Sequence, residues 1–434
     1  AAAIFLAFVP RLPAPDSSAK SAMAGSAGMR VSGGSSRRLG IFAVTQITAS
    51  FLLLAGAGAL IKTLLELEKT QPPFQTAHVL AVNLPIMSEG RTPDQVRDFY
   101  RDVQNRISSL PGVEHVSSGF GVPWRDTREL SISFTFSVEG AQRENGQDDS
   151  RAKFRSVSPG FFETLGVPIL EGRDFRDTDR DGAERVVIIS KSIAEKLFPG
   201  REAVDRHIQW TDGVMKFIGI STEPRRIIGV VPDIDDENII PSPFMTVYQP
   251  STQEGWNGRL FVRAKNDPYA LVPTITRTIH DMAADQPVER ASTLGDIRAE
   301  VLTPDRLNAV VFGGFATLAL LISVVGVAGV LAFSVSGRTR EFGIRQALGA
   351  QPHSILTKVL SEGMMIAAIG VTTGFVACFV LERIIGSHFA ELKLPGALTL
   401  LAAAAVILAA AVIASALPAA RAAKVDPAVA LRSE

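Results

Sequence analysis

The stretch Gly337–Ala350 reads GRTREFGIRQALGA and follows directly on an apolar run, Ala309–Val335. That run is about 27 residues long, and about 20 suffice to cross a bilayer. The segment after it is basic, with Arg338, Arg340 and Arg345 against one acid, Glu341. Short basic loops beside membrane helices stay in the cytoplasm. One short segment therefore orients the rest of the chain.

Composition agrees with a membrane protein. Of the 434 residues, 46% are hydrophobic, and the mean hydropathy of +0.21 is high for a water-soluble chain of this size. Lys and Arg number 44 against 44 Asp and Glu, a neutral balance that gives no case for nucleic acid. The single cysteine, Cys378, lies inside an apolar segment, which excludes an intrachain disulfide and cysteine-based metal or redox chemistry.

Three further spans are expected: Leu39–Ile61, Gly363–Ile385 and Gly396–Leu417. Arg37 and Arg38 precede the first, and Arg421, Lys424 and Arg432 follow the last, so all four obey the positive-inside bias. Gln46 is costly facing lipid and is expected to face another helix, as are Gly56 and Gly58. The last span is dominated by Ala and should pack closely on a neighbour. Before the first span, IFLAFVPRLPAPDSSAK repeats the plan of the C-terminal IASALPAARAAKVDPAVALRSE: an apolar end, Pro, a basic residue and an Ala/Pro-rich linker. Residues 1–12 are accordingly read as the remnant of a preceding membrane helix and 13–36 as a flexible linker.

Between the first and second spans lies a polar region of α+β pattern, about 66–305, outside the cytoplasm by orientation. His78–Leu84 alternates as a strand. Thr92, Pro93 and Gln95 form a capping box for a helix with Val96, Phe99, Tyr100, Val103 and Ile107 on one face. Val113–Ser118 follows as a strand. A similar unit returns with strand Arg259–Ala264, cap Asp267, Pro268, a helix to about Ala284 and strand Pro287–Ala291. These two units are read as halves of one layered subdomain. Between them, Ser131–Val138, Arg185–Ile189 and Arg226–Val231 suggest a second, mostly β subdomain, with short helices at Ser158–Leu165 and Ser192–Phe198, the latter capped by Ser190. The helical pattern near Leu294 can run through Arg306 into the second span as a stalk.

Catalytic signatures are missing from the sequence. It has no phosphate loop, no Gly-Lys pair and no zinc-protease motif. Asp177, Asp179, Asp181 and Gly182 match the front half of a calcium loop, but the twelfth position is Ile188 and a β-type run follows. Ser190 and Lys191 have no nucleophile elbow around them. The strongest functional signal stays in the basic segment. Glu341 and Arg345 stand four apart and pair on one helical face. Phe342, Ile344 and Leu348 add apolar surface, and Gly349 can end the helix. Both a docking helix for a cytoplasmic motor and a plain interfacial helix fit these residues.

Taken together, Gly337–Ala350 closely resembles the signature of FtsX/MacB-type ABC permeases. The matching positions are Arg340, Glu341, Gly343, Ile344, Arg345, Ala347, Leu348, Gly349 and Ala350. SVSPGFFETLGVPILEGRDF (Ser156–Phe175), RVVIISKSIAEKLFPG (Arg185–Gly200), RRIIGVVPDI (Arg225–Ile234) and VDPAVALRSE (Val425–Glu434) are similar to the same family. The remnant at the N-terminus makes the chain similar to the second half of a duplicated permease. The resemblance implies four complete transmembrane helices plus a large α+β periplasmic domain of MacB-like core type, in the bacterial inner membrane. In that scheme residues 37–65 are the first helix, 66–305 the periplasmic core and 306–434 the FtsX-like permease domain, with a coupling loop at 337–358. It implies that a separate cytoplasmic ABC ATPase, not this chain, binds ATP, so that the chain itself holds no cofactor and no metal. Coupling would fall to Arg338, Arg340, Glu341, Gly343, Ile344, Arg345, Leu348 and Gly349. A second permease half or copy, the lipid bilayer and a periplasmic partner complete the implied assembly. A membrane scaffold that signals outward to periplasmic partners without transport is the alternative.

Sidedness can be tested directly. With Cys378 replaced, single cysteines at Gln147 and Ser354 should react with an impermeant maleimide from opposite sides of the membrane; reaction from the same side would reject the topology.

Overall fold

The structure is a computed structural model that describes residues 33–85, 92–139, 149–240, 242–254, 257–386 and 395–423. The expected remnant at 1–12, most of the linker and the Val425–Glu434 motif lie outside the described residues. By its internal contacts the chain divides into two units, one being Leu60–Val311 and the other the chain on either side of it.

The membrane-type unit draws on four helices: α1 (Gly33–Lys69), the later part of α9 (Thr303–Gly337), α11 (Pro352–Gly386) and α12 (Ala397–Ala423). All four are long and apolar enough to span a bilayer. Residues 33–36, expected in the linker, are helical, and Arg37 and Arg38 lie inside the helix. A long apolar helix, once nucleated, propagates outward until a residue stops it, and no Pro stands between residue 33 and Arg37. The core between helices is made of Ile47, Phe51, Val327, Leu331, Ala367 and the alanines of α12. Close approach rests on small residues. A Cβ at Gly370 or Gly374 would run into Ile47 or Phe51, and one at Gly363 into Ser415. Gln46 does face a helix, its amide lying against Gly326, and Gly58 meets Thr399; Gly56 has nothing within 4 Å. Ser50 bonds Ser323 at 2.8 Å and the carbonyl of Ala319 at 2.9 Å. The buried hydroxyls thus satisfy one another where water is absent.

In the other unit, four strands carry the two expected strand–helix–strand repeats. The first is β1 (Val79–Asn83), α2 (Pro93–Ser108) and β2 (Val113–Gly119). The Thr92 hydroxyl accepts from the Gln95 N–H, and the Gln95 side chain accepts from the Thr92 N–H. The second is β10 (Arg259–Ala264), α7 (Val272–Met282) and β11 (Glu289–Thr293). Its last strand starts two residues after Pro287, which has no N–H to give a ladder. The order is β11-β1-β10-β2, all antiparallel, a split strand–helix–strand arrangement. Leu80, Val82, Leu260 and Val262 face α2 and α7, where Tyr100, Val103, Ile107, Ile275 and Ile279 complete a core. Alternate residues Val79, Ala81 and Phe261 enter a second core on the other face.

The chain between β2 and β10 supplies β3 (Ser133–Val138), β4 (Ser150–Val157), β6 (Val186–Ser190), β7 (His207–Trp210), β8 (Arg225–Val231) and β9 (Thr246–Pro250), with the two-residue β5 (Glu171–Gly172) beside β8. Pairing runs β4-β3-β7-β8-β6-β9, and β9 returns to β4 in parallel. The expected β subdomain is therefore a closed ring of strands, continuous with the first four through a single Gly119–Val157 pairing. Trp210 fills the ring, edge-on to Phe134, Phe136 and Phe154. Short helices flank it, including α4 (Phe161–Leu165) and α5 (Lys191–Leu197).

Ser190 precedes α5 but does not cap it through its side chain. Its hydroxyl accepts from the Thr246 N–H at 3.0 Å, and Asp233 takes the Ser192 N–H at 3.0 Å. A carboxylate from a neighbouring loop has displaced the local cap, leaving the serine free to tie β6 to β9. Asp233→Ala should lower the stability of this unit by about 1 kcal/mol, as loss of a cap does. Thermal melts of the purified chain check this, and an unchanged melt would return the cap to Ser190.

Candidate functional site

The expected coupling loop 337–358 is mostly helix. α10 (Thr339–Ala347) begins two residues after α9 ends, and Pro352 opens α11 at a position where its missing N–H costs nothing. Only Leu348–Gln351 lie between. Gly349 adopts φ +93°, a left-handed value that suits glycine. The Gly349 N–H reaches the Gln346 carbonyl at 3.0 Å and the Ala350 N–H reaches that of Arg345 at 2.9 Å. This is the paired closure of a helix by a left-handed glycine.

The side chains of α10 separate into two groups. Phe342 is 2% exposed and joins the core with Ile355, Val359 and Ala419. Gly343 is buried beside it. Phe342 is therefore an anchor and not the surface residue expected, because the helix turns that flank toward α11 and α12. Ile344 and Leu348 point away and are 42% and 82% exposed. Arg345 and Glu341 pair at 2.6 Å, each half-exposed, and Arg340 is exposed with them. Two contacts absent from any sequence motif fix the helix in place. Arg338 bonds Glu362 of α11 at 2.6 Å, and Gln346 donates to the Ala423 carbonyl at the end of α12 at 3.1 Å. Both bridge residues far apart in sequence, so no local signal marks them.

The exposed face of α10 gathers two cations, Arg340 and Arg345, one carboxylate, Glu341, and Ile344, with Leu348 just past its end. The half-matched calcium loop has its own account: Arg173 takes both oxygens of Asp179 at 2.7 and 2.9 Å, and the Arg176 N–H adds a third bond. Burial opposes ionisation there, but the Arg173 guanidinium and the Arg176 N–H hold the Asp179 carboxyl below the usual carboxylate range. Lys191, next to Ser190, pairs with Glu195 at 3.3 Å, while the Ser190 hydroxyl is engaged by the Thr246 N–H.

Residues 313–427 match the family described as FtsX-like permease C-terminal, and residues 41–276 match the MacB-like periplasmic core domain family. The second match alone covers more than half of the chain. The chain belongs to the FtsX/MacB family of ABC transporter permeases. This family consists of permease components and not of catalytic enzymes. Pyoverdine export ATP-binding/permease protein PvdT of Pseudomonas syringae pv. tomato is 29% identical over 282 residues, covering 62% of this permease and 40% of PvdT. The ABC transporter permease YvrN of Bacillus subtilis is 25% identical over 315 residues, covering 71% of this chain and 77% of YvrN. YknZ of the same organism is 24% identical over 339 residues, covering 76% and 79%. This permease thus spans two-fifths of the length of PvdT and over three-quarters of the two Bacillus proteins. Among solved structures, the periplasmic region of MacB from Actinobacillus actinomycetemcomitans has a TM-score of 0.36 at 13% identity, covering 55% of this chain and 98% of that one.

The split between anchor and surface makes a direct comparison possible. Phe342→Ala should destabilise the purified permease by about 3–5 kcal/mol, the usual cost of deleting a buried ring. Leu348→Ala should change stability by less than about 0.5 kcal/mol. Thermal midpoints in nanodiscs check both, and equal midpoints would refute the assignment of Phe342 as anchor.

Proposed function

We propose that this permease is the transmembrane subunit of an ABC-type export or mechanotransmission complex of the bacterial inner membrane. A separate cytoplasmic ATPase binds ATP and presses on α10. The outer unit, including residues 66–305, lies in the periplasm, and motion reaches it through the helices that enter and leave it. The observation that carries this reading is the α10 surface. Leu348 and Ile344 are left uncovered beside the Glu341–Arg345 pair and Arg340, while Phe342 and Gly343 lock the helix to α11 and α12. An apolar tip held rigidly and ringed by charge suits a protein partner better than lipid headgroups alone.

The stalk supports transmission. α8 (Leu294–Val301) and α9 run on as one helix: the Leu302 N–H bonds the Arg298 carbonyl at 3.1 Å and the Arg306 N–H bonds that of Leu302 at 3.0 Å. Pro304 removes one N–H from the ladder, and the helix continues past it. Positive-inside counting puts α10 in the cytoplasm. A second permease half or a second copy would complete the assembly, packing against small-residue faces of the spans, while Phe315, Leu318 and Ile322 are exposed as lipid-facing residues of a span are.

The permease should copurify with an ATPase from its own cells, and its presence should stimulate ATP hydrolysis. Arg345→Glu sets two acids four apart on the exposed face, and should abolish most of that stimulation with the thermal midpoint unchanged. Full stimulation by this variant would remove α10 from the coupling path.

A further inference from the structure

In the outer unit a cavity of about 680 Å³ opens beside α4 and the strand pair β2 and β10. Phe162, Val167 and Ile169 give it an apolar wall, and His115, Glu163, Asp174 and Arg263 give it charge. It is open on one side and not an enclosed cleft, so a ligand there would keep one flank in water. Arg263 is the unusual member. Strand alternation places it on the same side of β10 as Phe261, and its cross-strand neighbours are Val79 and His115. Its side chain is buried, with the residue only 9% exposed. Nε and Nη2 are buried and have no acceptor among the described residues.

Elsewhere in this unit, buried guanidiniums have an acid. Arg155 meets Asp236 at 2.6 and 2.7 Å, and Arg225 meets Glu254 at 2.5 Å. The two carboxylates that line the Arg263 cavity are engaged differently. Glu163 lies 3.7 Å from His115, and Asp174 accepts the Phe175 N–H at 2.7 Å. Glu163 and Asp174 are near, but a desolvated guanidinium whose Nε and Nη2 reach no acceptor is still costly, and an apolar residue of the same length would serve packing better. Arg263 therefore makes physical sense as a group held ready for an anion from outside.

The chemistry of the wall narrows the anion. A guanidinium presents a planar fork that fits a carboxylate. Phe162, Val167 and Ile169 suit an apolar body. Glu163 and Asp174 at the same cavity disfavour a second negative charge, and so disfavour phosphate. We propose that this cavity binds a small monocarboxylate with an apolar body, its carboxylate seated on Arg263. The proposal concerns the outer unit alone and does not depend on what α10 touches.

Titration calorimetry of the full permease in nanodiscs tests this with three probes: N-acetyl-L-phenylalanine, its amide, and inorganic phosphate. The acid should bind saturably at one site per chain, and the amide and phosphate should give no binding heat. Arg263→Met should weaken binding of the acid about 10- to 100-fold, as expected when charged hydrogen bonds are lost. Its thermal midpoint should be no lower than that of the parent, since an unpaired buried charge has been removed. Failure of the acid to bind, equal binding of the amide, tighter binding of phosphate, or undiminished binding by Arg263→Met would each overturn the proposal. A markedly lowered midpoint in Arg263→Met would assign the arginine a structural role and overturn it as well. The probe comparison on the unaltered permease stands even if the variant fails to fold.

Discussion

The two ends of the Leu60–Val311 unit are tied to each other, and its architecture depends on that tie. β11 lies against β1, with Leu80 opposite Thr293. The Gly295 N–H reaches the Thr76 carbonyl at 3.0 Å. Arg298 then donates to the carbonyls of Leu67 and Thr70, each at 2.6 Å. Those carbonyls end α1 and have no partner further along the helix, so a cation suits them by hydrogen bonding and by the helix dipole. Arg306 and Glu68 add an exposed ion pair at 2.9 Å, worth well under about 1 kcal/mol. The ladder and the Arg298 bonds matter more, because they hold the entering and leaving chain side by side.

The same plan recurs one level down. The strand ring leaves the first sheet at Gly119 and returns at Arg259, and these two residues are paired directly in register. An insertion whose ends already meet adds little closure entropy to its host. The ring then supplies its own interior, built on Trp210 and sealed by β9 against β4. Buried ions join it to the neighbouring loop: Arg155 grips Asp236, and Lys153 grips Glu237 at 2.7 Å. Each charge is answered, so their burial specifies position without leaving a bare ion.

Much of this was legible where the deciding interaction is local. The Thr92–Gln95 box, the Glu341–Arg345 pair and the Gly349 stop each lie within a turn or two of chain, and side chains three or four apart must meet on a helix. The four spans were legible because bilayer thickness imposes a length. Ring closure was not, since a parallel β4–β9 pairing joins strands about a hundred residues apart and leaves no periodic trace. The Asp233 cap, the Arg338–Glu362 bond and the buried face of Phe342 were hidden for the same reason. The helical state of residues 33–36 was missed because Gly and Ser composition suggests a linker, while a long adjoining helix overrides weak propensity. Arg263 reads from sequence as an ordinary strand arginine; only the structure shows its Nε and Nη2 buried without an acceptor among the described residues.

Closure of the ring has a further consequence for how such a chain survives at high local concentration. A sheet usually ends in two strands whose outer N–H and C=O groups invite pairing with another molecule. Here β9 is spent on β4, and apart from the short β5 the path among the described residues ends at β11. That strand is only five residues long and begins with exposed Glu289 and Arg290. A foreign segment seeking a template therefore finds a brief, charge-guarded border at β11, while β2, joined to β4 only at Gly119, keeps the longer unpaired edge.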